Sequence, residues 1–225
     1  DMDVTEHVRA TFTPLILSKI VQKKERKRIS KGQRLSTWKP YQATSNEKRP
    51  AVEAQKTMFN LVPCENEFEQ AFADFCDVTT DLVALAKNAG PQKLMIDYLR
   101  PDGHRALYVP DFMVRLKKGD YLLCELKGKV DLLVPMKMRA EVEWCKTASS
   151  GKVKWRCLYV PYNLFQQSAA ATMEELVRAC EPSLKALLDE AISGQIILPF
   201  FDVRAQKAAE DAAQGEYGGG HQEQA

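Results

Sequence analysis

The sequence predicts an α/β fold in which one helix, three strands, a second helix and a fourth strand follow one another (αβββαβ), with helices flanking a central mixed sheet. Apolar side chains repeat at helical spacing in residues 68–75 and along one stripe of residues 135–148, which indicates two amphipathic helices. Short apolar runs bounded by turn residues lie between these helices and after the second one, which indicates strands. The composition, with 45% hydrophobic and 28% charged residues, is typical of a globular domain.

The pattern turns helical over residues 51–77, where the first helix is predicted. Asn66 is the expected N-cap, with Glu69 three residues later. Glu67 and Glu69 both fall in the first turn, where the helix dipole favours negative charge. The alternative is that one of them, preferentially Glu69, reaches a functional site from the helix.

The strands are predicted from alternation and turn chemistry. Residues 87–91 (KNAGP) have the composition of a turn, residues 94–99 are the expected first strand, and residues 100–104 are the next turn. Residues 106–129 form two further strands joined by a tight turn at residues 117–120 (KKGD). After the second helix, which begins near Pro135, residues 153–160 alternate as the last strand.

Three charged groups stand out in the two strands of residues 106–129. Glu125 and Lys127 share one face of their strand, about 6.5 Å apart, and Asp111 in the adjacent antiparallel strand can meet them. Two carboxylates are hard oxygen ligands that suit Mg²⁺, for which Mn²⁺ can substitute. A lysine beside such an ion can hold the attacking water or neutralise charge on a phosphate. The alternative, a surface salt bridge, fits poorly because an apolar run leads into Glu125.

Basic residues are concentrated in residues 19–49. The densest cluster comprises Lys23, Lys24, Arg26, Lys27 and Arg28. Clustered cations with nearby aromatic residues suit an arm that contacts nucleic-acid phosphates. A solvated linker, or a surface against a neighbouring domain, is an equal alternative. Lys137 in the second helix either faces the cleft beside the sheet, where it would contact nucleic acid, or is solvated. The net charge of +2 does not by itself indicate nucleic-acid binding.

Several classes of protein are disfavoured. No apolar run approaches the roughly 18 residues that a membrane span needs, and no secretory leader is visible. The six cysteines form no CxxC pair and have no histidine at zinc spacing, which favours reduced thiols and a cytoplasmic location. The chain begins with Asp1, as expected of a fragment of a longer polypeptide.

The Asp111 and Glu125 motifs, PD and E-x-K separated by thirteen residues, resemble those of the PD-(D/E)XK nuclease superfamily. A longer resemblance covers roughly residues 36–165. The segments KNAG-P, IDY, YVPDF-V, ELKG and K-RAE-EWC are similar to the endonuclease region of type III restriction subunits and related DEAD/DEAH-box helicases. The resemblance implies a restriction-endonuclease-like core with Asp111 and Glu125 as metal ligands, Lys127 as catalytic lysine and Glu69 as a further acid. Leu126 and residues 132–134 depart from the family pattern, but the positions of Asp111, Glu125 and Lys127 match it.

The resemblance further implies a Mg²⁺-dependent endonuclease acting on DNA, the cleavage module of a helicase-coupled restriction or anti-phage defence system. The chain contains no Walker A motif or DExH box, so we expect the motor upstream or in another subunit. The alternative is an inactive nuclease-fold module that binds nucleic acid or assembles a complex. Oligomeric state stays open.

The predicted domain organisation follows from these patterns. Residues 1–50 are a basic arm or linker to an upstream motor, residues 51–203 the nuclease domain and residues 204–225 a mobile tail rich in Ala, Gln, Glu and Gly. An amphipathic helix is expected over residues 173–192, with Pro182 breaking or kinking it.

Overall fold

A computed structural model describes residues 11–12, 35–129 and 131–197, with side chains described up to residue 189. In chain order the strands are β1 (Ala51–Glu53), β2 (Leu61–Pro63), β3 (Leu82–Lys87), β4 (Ile96–Leu99), β5 (Arg105–Tyr108), β6 (Phe112–Leu116), β7 (Tyr121–Lys127) and β8 (Trp155–Pro161). The helices are α1 (Glu67–Val78), α2 (Val134–Ala148), α3 (Tyr162–Gln167) and α4 (Met173–Ile197).

Four strands form the central sheet in the order β3–β6–β7–β8. The β3–β6 and β6–β7 pairs are antiparallel, whereas β7 and β8 are parallel and are connected through α2. Counting only the strands of this sheet, and leaving out β4 and β5, which lie between β3 and β6 in the chain, the element order is αβββαβ. The prediction of a mixed central sheet flanked by helices is confirmed.

Alternation along the strands gives the sheet two buried faces. On one face Phe112 of β6 packs against Phe72 of α1, with 5.3 Å between the ring centroids. On the other face Met113 of β6 and Leu123 of β7 pack with Met138 of α2. Fully burying one such side chain stabilises the fold by about 1.5–3 kcal/mol, so the two layers hold the sheet between α1 and α2.

The predicted first strand of the core is wrong. Residues 94–99 do not enter the central sheet: β4 pairs with β5 in a separate antiparallel hairpin. The first core strand is instead β3, whose Leu82 and Leu85 are buried in the α1 layer. The hairpin buries Ile96 and Tyr108 against the α2 layer, which explains why its sequence has the character of a core strand.

The helical prediction for residues 51–77 holds only for its second half. β1 and β2 pair as a short antiparallel ladder, and α1 begins at Glu67. The predicted N-cap is confirmed, because Asn66 Oδ1 accepts a hydrogen bond from Glu69 N–H at 2.9 Å. Satisfying this otherwise unpaired amide fixes where the helix starts.

The turn predicted at residues 117–120 is confirmed. Gly119 has φ +93°, a conformation that glycine adopts without steric cost, and its N–H donates to Leu116 O at 2.9 Å. Leu116 N–H in turn donates to Asp120 O at 2.9 Å. The turn joins β6 to β7 and therefore sets their register.

Pro182 does not break the last helix, because α4 continues through it to Ile197. The residue is exposed, so the carbonyl oxygen that loses its amide partner lies where water can bind it. Within the described part of the chain, no helix combines the length and apolar character needed to cross a membrane.

Parts of the predicted flanking segments lie outside the described residues. These are the basic cluster Lys23, Lys24, Arg26, Lys27 and Arg28, residues 198–203 of the predicted nuclease domain, and the predicted tail at residues 204–225. At the end of the predicted arm, Leu35 and Trp38 are partly buried against the α2 layer.

Candidate active site

Asp111 stands immediately before β6, in register with Glu125. The antiparallel ladder pairs Phe112 with Cys124, so Asp111 and Glu125 occupy the next pair of positions. Asp111 N–H donates to Cys124 O at 3.0 Å, and Asp111 Oδ2 accepts from Leu126 N–H at 2.8 Å. The Asp111 carboxylate is thus held against β7 at the level of Glu125.

Glu125 is a buried acid with an unusual electrostatic environment. Burial raises the pKa of Glu125 to about 9, and the negative charge of Asp111 adds to the rise. The Tyr108 hydroxyl, 2.9 Å from Glu125 Oε2, acts in the opposite direction. Two neighbouring carboxylates therefore repel each other at this position, and a bound cation would relieve that repulsion.

Lys127 lies two residues beyond Glu125 on the same face of β7. Its ammonium is 3.2 Å from Asp131 Oδ2, and the side chain is 22% exposed. Its positive charge acts to lower the pKa of Glu125. Partial burial acts to raise the pKa of Asp131, but hydrogen bonds from Leu133 N–H and Lys127 hold it below its usual value, and Lys137 contributes to the decrease. Lys127, Asp131 and Lys137 are therefore neighbours where α2 begins.

A second lysine, which the sequence interpretation did not identify, lies between Asp111 and α1. Lys87 Nζ at the end of β3 is 2.6 Å from Glu69 Oε2 and 3.6 Å from Asp111 Oδ1. Burial raises the pKa of Glu69, and the charge of Lys87 opposes the rise. Glu69 is therefore linked to Asp111 through Lys87, whereas Glu67 is exposed in the first turn of α1. The apolar run LVALA before Lys87 resembles the YLLC run before Glu125. This similarity is the sequence signal that could have identified Lys87 as a site residue.

Asn88 fixes the backbone that presents Asp111. Its side-chain Nδ2 donates to Pro110 O at 2.8 Å and to Leu94 O at 2.9 Å, while Oδ1 accepts from Leu94 N–H at 2.7 Å. Asn88 N–H also donates to Asp111 O at 2.9 Å. This buried amide therefore ties the turn before β4 to the Pro110–Asp111 peptide.

Glu141 of α2 is the second residue that the sequence interpretation missed. It is fully buried, and its Oε2 lies 2.6 Å from the Tyr108 hydroxyl oxygen. Burial raises the pKa of Glu141 to about 8. Its Oε1 has no conventional hydrogen-bond partner within the described residues, although the Cys157 thiol, a weak donor, is close enough to lower the pKa. The apolar stripe predicted within residues 135–148 consists of Met136, Ala140 and Trp144, and these residues are only partly buried. The pattern therefore did not identify the fully buried positions of α2, which include Glu141.

The donor set fits a hard divalent cation bound by two carboxylates. Mg²⁺ typically takes one or two protein carboxylates and completes its shell with water and phosphate oxygens. Asp111 and Glu125 supply that number from opposite positions on the two strands. In the part of the chain that the structure describes, no group of three or more His, Cys, Asp or Glu residues is arranged to hold a metal.

Comparison with family models, curated proteins and solved structures gave no match for this chain. The resemblance to PD-(D/E)XK nucleases rests on the motifs and on the αβββαβ order. The function must therefore be inferred from the contacts of Asp111, Glu125, Lys87 and Lys127.

Proposed function

We propose that the protein is a Mg²⁺-dependent endonuclease that hydrolyses phosphodiester bonds of DNA. The observation that carries the proposal is the placement of Asp111 directly opposite Glu125, one pair beyond the end of the β6–β7 ladder, where the charge of Asp111 adds to the effect of burial in raising the pKa of Glu125. A divalent cation bound between two such carboxylates relieves the electrostatic repulsion between them. A ligand role for Glu125 is favoured over a structural salt bridge, because Lys127 pairs with Asp131 and not with Glu125.

Asp111 and Glu125 would hold the ion. When bound, Mg²⁺ supplies Lewis-acid polarisation of the phosphate and a more acidic water. Hydrolysis then forms a bond between the water oxygen and phosphorus and breaks a phosphorus–ester oxygen bond, leaving a phosphate monoester and an alcohol.

The two lysines have different roles in this proposal. Lys127 is partly exposed on the Glu125 face, where its ammonium can stabilise charge that develops on the phosphate. Lys87 is buried and compensates the negative charges of Glu69 and Asp111. Lys137 lies near Asp131 and extends the positive surface on which a nucleic-acid backbone can rest. The biological setting we propose is the cleavage module of a helicase-coupled restriction or anti-phage defence system.

A second candidate is a nuclease-fold module that binds nucleic acid without cutting it. The Lys127–Asp131 ion pair favours this alternative, because it draws the lysine ammonium toward α2. The two candidates share DNA as partner and differ in whether the phosphodiester bond breaks.

The test is an assay of supercoiled plasmid nicking with Mg²⁺ or Mn²⁺, with EDTA as the metal-free control. We expect the wild-type protein to nick the plasmid only with metal, and Asp111→Asn and Glu125→Gln to lose nicking. Asp97→Asn is the matched control, since Asp97 is an exposed acid on β4, and it should cut as the wild type does. Plasmid binding without nicking under either metal supports the second candidate. A protein that neither binds nor cuts contradicts both.

A further inference from the structure

The Tyr108 hydroxyl of β5 lies between two carboxyl groups that come from two other elements. Its oxygen lies 2.9 Å from Glu125 Oε2 on β7 and 2.6 Å from Glu141 Oε2 on α2. All three side chains are buried, with exposed fractions of 4%, 6% and 0% for Tyr108, Glu125 and Glu141. Contacts of this kind between buried groups fix side-chain orientation strongly, because water cannot replace a lost partner.

The number of protons in this cluster can be counted. A tyrosine hydroxyl has one proton and can donate it to only one of the two carboxyl groups. The other short contact therefore requires a proton on a carboxyl group, which donates to the Tyr108 oxygen. A carboxyl group that binds a metal ion must be ionised, so when Glu125 acts as a ligand the remaining carboxyl proton belongs to Glu141.

The burial of Glu141 also favours placing the carboxyl proton on Glu141. It lies three residues after Met138 and four before Cys145, all buried positions of α2, and close to the Cys157 thiol of β8. An ionised carboxylate in such surroundings is far more costly than a neutral acid that donates a hydrogen bond. Glu141 as a neutral donor leaves the Tyr108 proton directed at Glu125 Oε2.

We propose that Glu141 is a positioning residue for the metal site, acting as a neutral carboxylic acid that donates to Tyr108, which in turn donates to Glu125. The inference rests on the proposed function, because it takes Glu125 as a metal ligand. In this relay Glu141 touches neither substrate nor metal. Its effect is to hold Tyr108 in the orientation that fixes one oxygen of Glu125. Groups that orient metal ligands in this way typically contribute about 10- to 100-fold to metal affinity.

The experiment compares Mn²⁺ affinity by isothermal titration calorimetry at one fixed pH. Glu141→Gln keeps a donor of the same shape and should bind within about threefold of the wild type, whereas Glu141→Met and Tyr108→Phe should bind about 10- to 100-fold more weakly. The double variant Tyr108→Phe/Glu141→Met should be no weaker than Tyr108→Phe alone, because both changes interrupt one relay. Tyr98→Phe is the matched control, a buried tyrosine of the same hairpin, and should bind as the wild type does.

Each outcome is decisive. Wild-type affinity in Glu141→Met, with loss of binding in Asp111→Asn, overturns the relay and leaves the proposed function standing. Equal weakening in Glu141→Gln and Glu141→Met overturns the donor role, since a neutral donor would then be no substitute. Absence of Mn²⁺ binding by the wild type overturns the proposed function and the relay together. Thermal unfolding identifies folded variants, and Tyr108→Phe, which deletes one oxygen atom, tests the relay if Glu141→Met does not fold.

Discussion

Lys87 and Glu69 form a buried ion pair, with 2.6 Å between Lys87 Nζ and Glu69 Oε2 and exposed side-chain fractions of 8% and 6%. The pair fastens α1 to the end of β3, beside Asp111. Removal of either partner leaves the other charge buried without compensation, which makes this contact a sensitive probe of the site.

Lys87→Met should lower the free energy of unfolding by about 3–5 kcal/mol, because Glu69 is left unpaired. Adding Glu69→Gln should recover a large part of that loss by removing the unpaired charge. Urea denaturation measures both. Lys146→Met is the control: its partner Glu143 is more than half exposed, so we expect a change of about 0.5 kcal/mol or less. Equal instability of the single and double variants would contradict the account.

Lys127→Ala should reduce plasmid nicking by about 100-fold or more and change stability by less than about 1 kcal/mol. The reason is that its ion pair with Asp131 is partly exposed, whereas its proposed role is in stabilising phosphate charge. Asp131→Asn, which releases Lys127, should keep nicking activity. Wild-type nicking by Lys127→Ala would remove Lys127 from the chemistry and leave Lys87 as the lysine to test.

Asn88→Ala should destabilise the protein by about 2–4 kcal/mol, since the three hydrogen bonds of this buried side chain are lost at roughly 1 kcal/mol each. Because one of them holds Pro110 O, Mn²⁺ affinity should fall as well. Asn46→Ala is the matched control. Its Oδ1 accepts from Lys48 and Arg49 N–H in an exposed loop, so urea denaturation should detect little change. Unchanged stability of Asn88→Ala would show that these contacts do not fix the loop.

The metal-free protein should become less stable as pH rises. Folding raises the pKa of Glu125 to about 9 and that of Glu141 to about 8, whereas the pKa of an unfolded glutamate is about 4.3. Between these values the folded state binds protons that the unfolded state has released, so stability is complete below about pH 4 and declines toward pH 9. Each such proton gives a slope of about 1.4 kcal/mol per pH unit.

Thermal unfolding in EDTA across about pH 5–9 measures this decline, whose source is the ionisation of the two buried acids on unfolding. The double variant Glu125→Gln/Glu141→Gln should flatten the profile, because it removes both titrating groups. A wild-type midpoint that rises or stays level through this range would contradict the burial of the two acids.

Local sequence was sufficient to predict the Asp111–Glu125 relationship. The KKGD turn at residues 117–120 determines the register of β6 and β7, and that register alone brings Asp111 opposite Glu125. The start of α1 was likewise predictable from Asn66. The buried position of Glu69 was one of two alternatives that the sequence allowed. In both cases the controlling interactions lie within a few residues of the feature predicted.

Contacts between distant residues were not predictable in this way. Lys87 meets Glu69 across 18 residues and Tyr108 meets Glu141 across 33, so both contacts exist only once the sheet has packed on α1 and α2. The β4–β5 hairpin was mistaken for part of the core because its inward face is as apolar as a core strand. Periodicity reports burial, and it does not distinguish which sheet a strand joins.

The most direct test of the metal site is anomalous diffraction from crystals of the protein soaked in Mn²⁺. The account predicts a manganese peak about 2.1 Å from a carboxylate oxygen of Asp111 and of Glu125, and loss of that peak in Asp111→Asn. A soaked crystal with no peak between these two carboxylates, or with manganese bound only elsewhere, would contradict it.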